Sequence, residues 1–135
     1  MIVLDASAGV AMVSPSQATP ASLAFLASGD RWIAPVLFLY EVRHALLRIE
    51  RRTALRPPAF DVLLTEFFAE FEWIAPAPEA SSLDSAMRLA REHGLSFYDA
   101  CYLELALRMG AGLASRDIRL MEVARAASVD VHDLR

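Results

Sequence analysis

Short apolar runs alternate along the chain with longer segments of helical periodicity, and this alternation limits the possible folds more than any other feature. Five runs have the length and composition of short strands: residues 1–5, 31–35, 72–76, 111–115 and 129–134. The segments between them are typical of helices, and glycines such as Gly94 and Gly110 stand where helices would end. The pattern predicts an α/β fold with a central parallel sheet of about five strands and helices on both faces.

Length and composition predict one domain over residues 1–135. A chain of 135 residues is long enough to bury a sizeable core, and it contains no obvious linker or low-complexity stretch. Hydrophobic residues make up 56% of the chain, which is above the usual globular range. This apolar excess predicts that part of the surface is covered by a partner.

The same composition predicts a cytoplasmic protein without a membrane segment. No apolar run reaches the length of a membrane span. The N-terminus lacks the basic region of a signal peptide, and Asp5 interrupts its first apolar run. The single cysteine, Cys101, cannot form an internal disulfide, which favours a reducing compartment.

The charged residues narrow the possible functions. The net charge is −4, so the chain is not expected to bind nucleic acids through overall charge. All 13 basic residues are arginines, which can make forked contacts with phosphate. A phosphoacceptor domain of the receiver type needs a lysine beside its phosphorylated aspartate, and the absence of lysine argues against that class.

Four acidic residues occupy positions that the predicted topology can bring to one edge of the sheet, where ligands of such folds bind. Asp5 ends the first predicted strand, and Asp117 follows the strand at residues 111–115. Glu41 lies on the helix after the second strand, and Asp99 lies at the start of the helix that leads into residues 111–115. Each aspartate, taken alone, is also explained as a helix N-cap. Glu41 has apolar neighbours on both sides, so it should be costly to bury unless an arginine pairs with it or it coordinates a ligand.

Crowded carboxylates repel one another, and a divalent cation relieves that repulsion. Mg²⁺ and Mn²⁺ prefer hard oxygen ligands, and a bound ion lowers the pKa of water and stabilises charge on a phosphate oxygen. The acidic set therefore points to metal-dependent hydrolysis of phosphodiester bonds. The small residues after Asp5, up to Gly9, are expected to let backbone and substrate approach the metal.

Four motifs in a fixed order, VLDASA, EVRHALLR, HGLSFYDACYLELA and LASRD, cover almost the whole chain. In these motifs the sequence resembles PIN-domain ribonucleases, and in particular the VapC toxins of bacterial toxin–antitoxin pairs. The resemblance implies that Asp5, Glu41 and Asp99 are catalytic metal ligands and that Asp117 matches a fourth, more variable acidic position.

The resemblance also implies supporting roles for two hydroxyl groups. Ser7 matches a serine commonly found two residues after the first aspartate. Ser115 stands where many members have threonine, and its hydroxyl is expected to form a hydrogen bond with the carboxylate cluster. Further implications are a Mg²⁺ or Mn²⁺ cofactor, cleavage within RNA to 5′-phosphate and 3′-hydroxyl ends, a homodimer, and inhibition by a cognate antitoxin protein.

Three arginines are candidate RNA contacts. Arg48 and Arg52 share a helical face with Glu41, and Arg116 lies between Ser115 and Asp117. They could hold RNA phosphates on either side of the cut. A solvated helix face, or an ion pair with Glu41, is the more common explanation of such arginines.

Two other functions remain compatible with these residues. One is a PIN-type RNA-processing nuclease outside a toxin–antitoxin pair. The other is a non-catalytic binding module whose acidic residues only cap helices, which the position of Glu41 argues against. A titration with Mn²⁺ separates the nuclease from the binding module.

Overall fold

The computed structural model describes residues 1–53, 59–69 and 74–135. Within these ranges the strands are β1 (Ile2–Leu4), β2 (Trp32–Ile33), β3 (Gly112–Ser115) and β4 (Val131–Asp133). The helices are α1 (Ala6–Val13), α2 (Pro20–Leu26), α3 (Val36–Arg52), α4 (Ala59–Ala69), α5 (Ala80–His93), α6 (Phe97–Met109) and α7 (Ile118–Ala126).

The strands form one parallel sheet in the order β2-β1-β3-β4. In the register of this sheet, Ile2 of β1 lies opposite Trp32 on one side and Gly112 on the other. Successive residues of a strand point to opposite faces, yet all three residues of β1 are buried. Both faces are therefore covered, as expected for a parallel sheet between helices. The predicted α/β class is confirmed.

The predicted strand at residues 72–76 is reduced to a single contact in the described chain. Ile74 forms an isolated parallel bridge with Ala34, and the amide of Ala75 donates to the carbonyl of Ala34 at 2.8 Å. Pro76 has no amide hydrogen, so the ladder cannot continue through it. Residues 72 and 73 lie outside the described ranges. The sheet thus has four strands where about five were predicted, with this bridge beside β2.

Polar caps and glycines fix the ends of several helices, as the sequence predicted. Asp5 and Asp117 are the N-caps of α1 and α7, and Ser96 is the N-cap of α6. Gly94 and Gly110 end α5 and α6 with left-handed backbone, at φ values of 63° and 58°. These caps hold the acidic residues at the edge of the sheet.

Gly9 allows α1 to pack closely against α3. A Cβ atom at Gly9 would lie 2.5 Å from Cζ of Phe38, which is fully buried. The missing side chain therefore makes room for a core phenyl ring. This differs from the expectation that small residues after Asp5 serve the approach of a substrate.

The core lies between the sheet and the helices on either side of it. Its largest fully buried side chains include those of Phe38, Leu4, Ile33, Leu103 and Leu113. Among the helices that the structure describes, none is long and apolar enough to cross a membrane.

Candidate metal centre

Asp5 is a buried carboxylate at the end of β1, with only 5% of its surface exposed. It accepts hydrogen bonds from the amide of Ser7 and the hydroxyl of Ser115, from the Ser7 hydroxyl at 3.1 Å, and from the amide of Ala8 at 3.3 Å. Burial raises the pKa of Asp5 to about 6 because it outweighs the opposing effect of these hydrogen bonds. Asp5 therefore caps α1 and also stands as an anion that is costly to bury.

Two serine hydroxyls tie the end of β1 to the end of β3. Besides donating to Asp5, the Ser115 hydroxyl accepts a hydrogen bond from the amide of Asp117 at 2.9 Å. The Ser7 hydroxyl accepts one from the amide of Arg116, also at 2.9 Å. The predicted contact between Ser115 and the carboxylate cluster is thus present in the structure. Asp117 is exposed at the start of α7.

Glu41 projects from α3 and is half-buried. The phenol of Tyr102, on α6, donates a hydrogen bond of 2.6 Å to its Oε2 atom. Burial raises the pKa of Glu41; the bond from Tyr102 opposes that shift, and the charge of Asp99 adds to it. The hydrogen-bond partner of Glu41 is therefore a phenol, whereas the ion-pair explanation required an arginine.

Tyr102 forms a hydrogen bond with Glu41 and lies within electrostatic reach of Asp5 and Asp99. Burial is the largest cause that raises its pKa above the ordinary tyrosine value, and the charges of Glu41, Asp5 and Asp99 raise it further. The charges of three carboxylates thus raise the pKa of one phenol. The sequence analysis did not predict a role for Tyr102. The residue follows Asp99 by three positions, a spacing that places both on one face of α6.

Asp99 has a structural role as well as its place near Glu41. Its carboxylate accepts a hydrogen bond from the Ser96 hydroxyl at 2.6 Å, and its amide donates to the same hydroxyl at 3.0 Å. These bonds fix the first turn of α6, as the capping explanation predicted. The capping role and the proximity to Glu41 occur together, so one does not exclude the other.

A surface cleft of about 660 Å³ opens beside Glu41, whereas Asp5 and Asp99 are not among the described residues that line it. Glu41 and Asp117 line it, together with Ser7. All three arginines predicted as RNA contacts also line it: Arg48, Arg52 and Arg116. Acidic and basic side chains therefore share one cleft in a chain whose net charge is negative.

Three further polar residues of the cleft were missed from the sequence: Gln17, His44 and Arg135. Arg135 is held by Asp133, with its Nη2 atom 2.6 Å from the carboxylate. Arg116 reaches the carbonyl of Gln17 with one terminal nitrogen at 3.4 Å, while its buried Nε has no hydrogen-bond partner among the described residues. Arg116 thus lines the cleft with a guanidinium whose Nε atom is buried in the protein.

The described residues contain no group of three acidic, histidine or cysteine side chains already placed to ligate one ion. The chemistry of the residues present nevertheless fits a divalent cation. The raised pKa values of Asp5 and Glu41 come chiefly from burial, a cost that a cation beside them would relieve. The atoms of Asp5 and Glu41 that would bind a cation are carboxylate oxygens, the ligands that Mg²⁺ and Mn²⁺ prefer.

A known protein family matches most of the length of this chain. The family model of the PIN domain matches residues 2–126. The chain belongs to the PIN domain family. This confirms the family that the four sequence motifs predicted and assigns nearly all of the sheet and its helices to the PIN fold.

Two curated relatives share this PIN domain. Ribonuclease VapC3 from Pyrobaculum aerophilum is 31% identical over 121 residues, which cover 90% of this chain and 92% of the relative. Exonuclease VapC9 from the same organism is 31% identical over 118 residues, which cover 82% and 85%. The predicted likeness to VapC proteins is confirmed.

Solved structures share the PIN fold over its full length. VapC20 from Mycobacterium tuberculosis, a sarcin-ricin loop cleaving toxin, matches with a TM-score of 0.69 and 17% identity, covering 100% of both chains. VapBC2 from Rickettsia felis, bound to a DNA fragment from its promoter, matches with a TM-score of 0.68 and 16% identity, also covering 100% of both chains. At these identities the likeness concerns the fold.

Proposed function

We propose that this PIN domain is a metal-dependent endoribonuclease and the toxin of a toxin–antitoxin pair. The observation that carries the proposal is the half-buried Glu41 carboxylate, which accepts a hydrogen bond from Tyr102 and lines a cleft together with arginines. Support comes from the 31% identity to a protein named Ribonuclease VapC3. Glu41 lies inside α3, where it caps no helix end, so helix capping alone does not explain this residue.

Asp5, Glu41 and Asp99 would hold Mg²⁺ or Mn²⁺, with Asp117 as a fourth ligand or as the group that orients the attacking water. A bound divalent cation supplies a water of lowered pKa and stabilises the charge that develops on the phosphate. Ser7 and Ser115 orient the Asp5 carboxylate through their hydrogen bonds. With its pKa at about 6, Asp5 is mostly ionised at neutral pH and available as a ligand.

The arginines of the cleft would bind the RNA backbone on either side of the cut. Arg48 and Arg52 approach from α3, and Arg116 lines the cleft from beside Ser115. Such contacts position the substrate without reading its bases. Because the site is a surface cleft, it can admit an internal segment of RNA as well as a chain end.

The test is cleavage of a circular RNA with Mn²⁺ present. A circle has no ends, so its linearisation requires internal cleavage. Asp5→Asn and Asp99→Asn should fold and lose activity, whereas Asp84→Asn, an exposed change on α5, should cleave like the parent. Cleavage by Asp5→Asn at the parental rate would show that the site is wrongly assigned. An intact circle beside a degraded linear RNA would identify an exonuclease instead.

The proposed toxin acts in the cytoplasm as a homodimer, and a cognate antitoxin protein inhibits it. Tyr40 and Leu47 on α3 are 70% and 43% exposed, and such apolar surface is suited to a protein interface. Induction in cells should arrest growth with the parent but not with Asp5→Asn, and co-expression of the antitoxin should restore growth. Unchanged growth with a protein that cleaves RNA would favour an RNA-processing role.

A further inference from the structure

We propose that Tyr102 is a positioning residue of the metal site and holds the Glu41 carboxylate in the orientation that ligation requires. The inference rests on the proposed function, because it assumes that Glu41 binds a cation. It adds a residue from outside the acidic set. It also gives a buried tyrosine of α6 a function other than filling the core.

The contact joins two helices that are distant in sequence. Tyr102 is 2% exposed, so its ring is fixed by the packing around it. Its hydroxyl donates to Oε2 of Glu41 at 2.6 Å, across 61 residues of sequence. The bond fixes the carboxylate through Oε2, so that Oε1 can face a cation in the cleft that Glu41 lines.

A glutamate needs such a partner more than an aspartate does. Its longer side chain has more rotamers to lose when it is fixed in one orientation. A hydrogen bond from an immobile ring selects one of these rotamers before a cation arrives. Asp99 lies on the same face of α6 as Tyr102, so one helix face supplies a ligand and the group that orients a second ligand.

The first experiment compares Mn²⁺ binding by the parent and by Tyr102→Phe, measured by calorimetry. The substitution keeps the ring and removes the hydroxyl. Loss of an outer hydrogen bond to a metal ligand typically weakens affinity by about 10–100-fold, and we expect a change in Kd of that size. Tyr98→Phe is the matched control, because Tyr98 lies one turn away on α6 and is 55% exposed. It should bind Mn²⁺ like the parent.

The results distinguish this inference from the proposed function. If the parent binds Mn²⁺ and Tyr102→Phe binds it equally well, the positioning role is wrong and the metal site stands. If the parent does not bind millimolar Mn²⁺, the metal site itself is wrong. Under the proposal, saturating Mn²⁺ should restore the kcat of Tyr102→Phe, since the variant lacks affinity rather than a reacting group.

A double-mutant cycle tests whether Tyr102 acts through Glu41. The effect of Tyr102→Phe on the Mn²⁺-induced rise in Tm is measured in the parent and in Glu41→Gln. If the phenol acts by orienting the carboxylate, its effect should disappear in the glutamine background. An equal effect in both backgrounds would mean that Tyr102 supports the packing of α6 and does not position Glu41.

A third measurement leaves Tyr102 unchanged and therefore does not depend on the folding of a Tyr102 variant. The ¹³C signal of the Tyr102 Cζ atom responds to hydrogen bonding of its hydroxyl. Glu41→Ala removes the acceptor and should shift that signal, while the signals of the exposed Tyr40 and Tyr98 should stay in place. A Tyr102 signal that does not move would overturn the proposed contact.

Discussion

The hydroxyl of Ser115 donates a hydrogen bond to the carboxylate of Asp5, although 110 residues separate the two in the sequence. The bond joins the ends of the neighbouring strands β1 and β3. The same hydroxyl accepts a hydrogen bond from the amide of Asp117 at 2.9 Å. One small buried side chain thus organises two of the acidic positions in the candidate site.

Replacing this hydroxyl should destabilise the fold. Ser115→Ala removes a buried donor from Asp5 and an acceptor from the Asp117 amide, and unsatisfied groups of this kind cost about 1–3 kcal/mol each. We expect a fall of at least that size in the free energy of unfolding, measured with urea in EDTA. Ser81→Ala, an exposed change on α5, should stay within about 0.5 kcal/mol of the parent. Equal stability of the two variants would contradict the structural role.

The raised pKa of Asp5 predicts that stability depends on pH in the absence of metal. The folded protein holds this proton up to about pH 6, whereas the unfolded chain releases it near 3.8. Between these values the folded state binds more protons, so the free energy of unfolding falls as pH rises. Two pKa units correspond to roughly 3 kcal/mol. Asp5→Asn keeps the capping oxygen and should lack this decrease when urea unfolding is followed from pH 4 to pH 7. A matching decrease in the variant would assign it to other groups.

Divalent metal should stabilise the parent by binding to the folded state. At a concentration 100 times its Kd, a ligand adds about 2.7 kcal/mol to the free energy of unfolding, which raises Tm. Glu41→Ala should gain less from Mn²⁺ than the parent does. Glu92→Ala removes an exposed carboxylate from α5 and should gain as much as the parent. Thermal unfolding with Mn²⁺ and with EDTA gives the Tm shift of each protein. Equal Tm shifts in all three proteins would exclude Glu41 as a ligand.

The arginines of α3 should contribute to RNA affinity through phosphate contacts. RNA binding is measured in an Asp5→Asn background, which does not cleave the RNA. There, Arg48→Ala should weaken the binding of RNA and reduce the slope of log K against log salt by about 0.7 per lost contact. Arg91→Ala changes an exposed arginine on α5 and should leave both values unchanged. Filter binding at several salt concentrations provides the comparison. The same slope of log K against log salt in all three proteins would mean that RNA does not contact Arg48.

The sequence was sufficient to predict the α/β class and the position of Asp5 and Asp117 after two neighbouring strands, because parallel strands end on the same side of a sheet. It did not show that, in the described residues, the pairing around Ile74 is limited to one bridge with Ala34, beyond which Pro76 has no amide hydrogen to continue the ladder. Tyr102 and Arg135 were missed for a different reason. The contact of Tyr102 with Glu41 and the place of Arg135 in the cleft depend on how distant elements pack, and neither residue stands out from its sequence neighbours.

The strand order has a consequence for the timing of assembly. In the sheet, β1 lies between β2 and β3, so the first strand of the chain completes its pairing only with residues 112–115. Asp5 and Glu41 leave the ribosome early, but Asp99 and Ser115 follow only when most of the 135 residues have been made. Contacts over such separations form slowly, because a long loop must close first. A growing chain therefore cannot bring Asp5 together with Asp99 and Ser115 before residues 99–115 have been made.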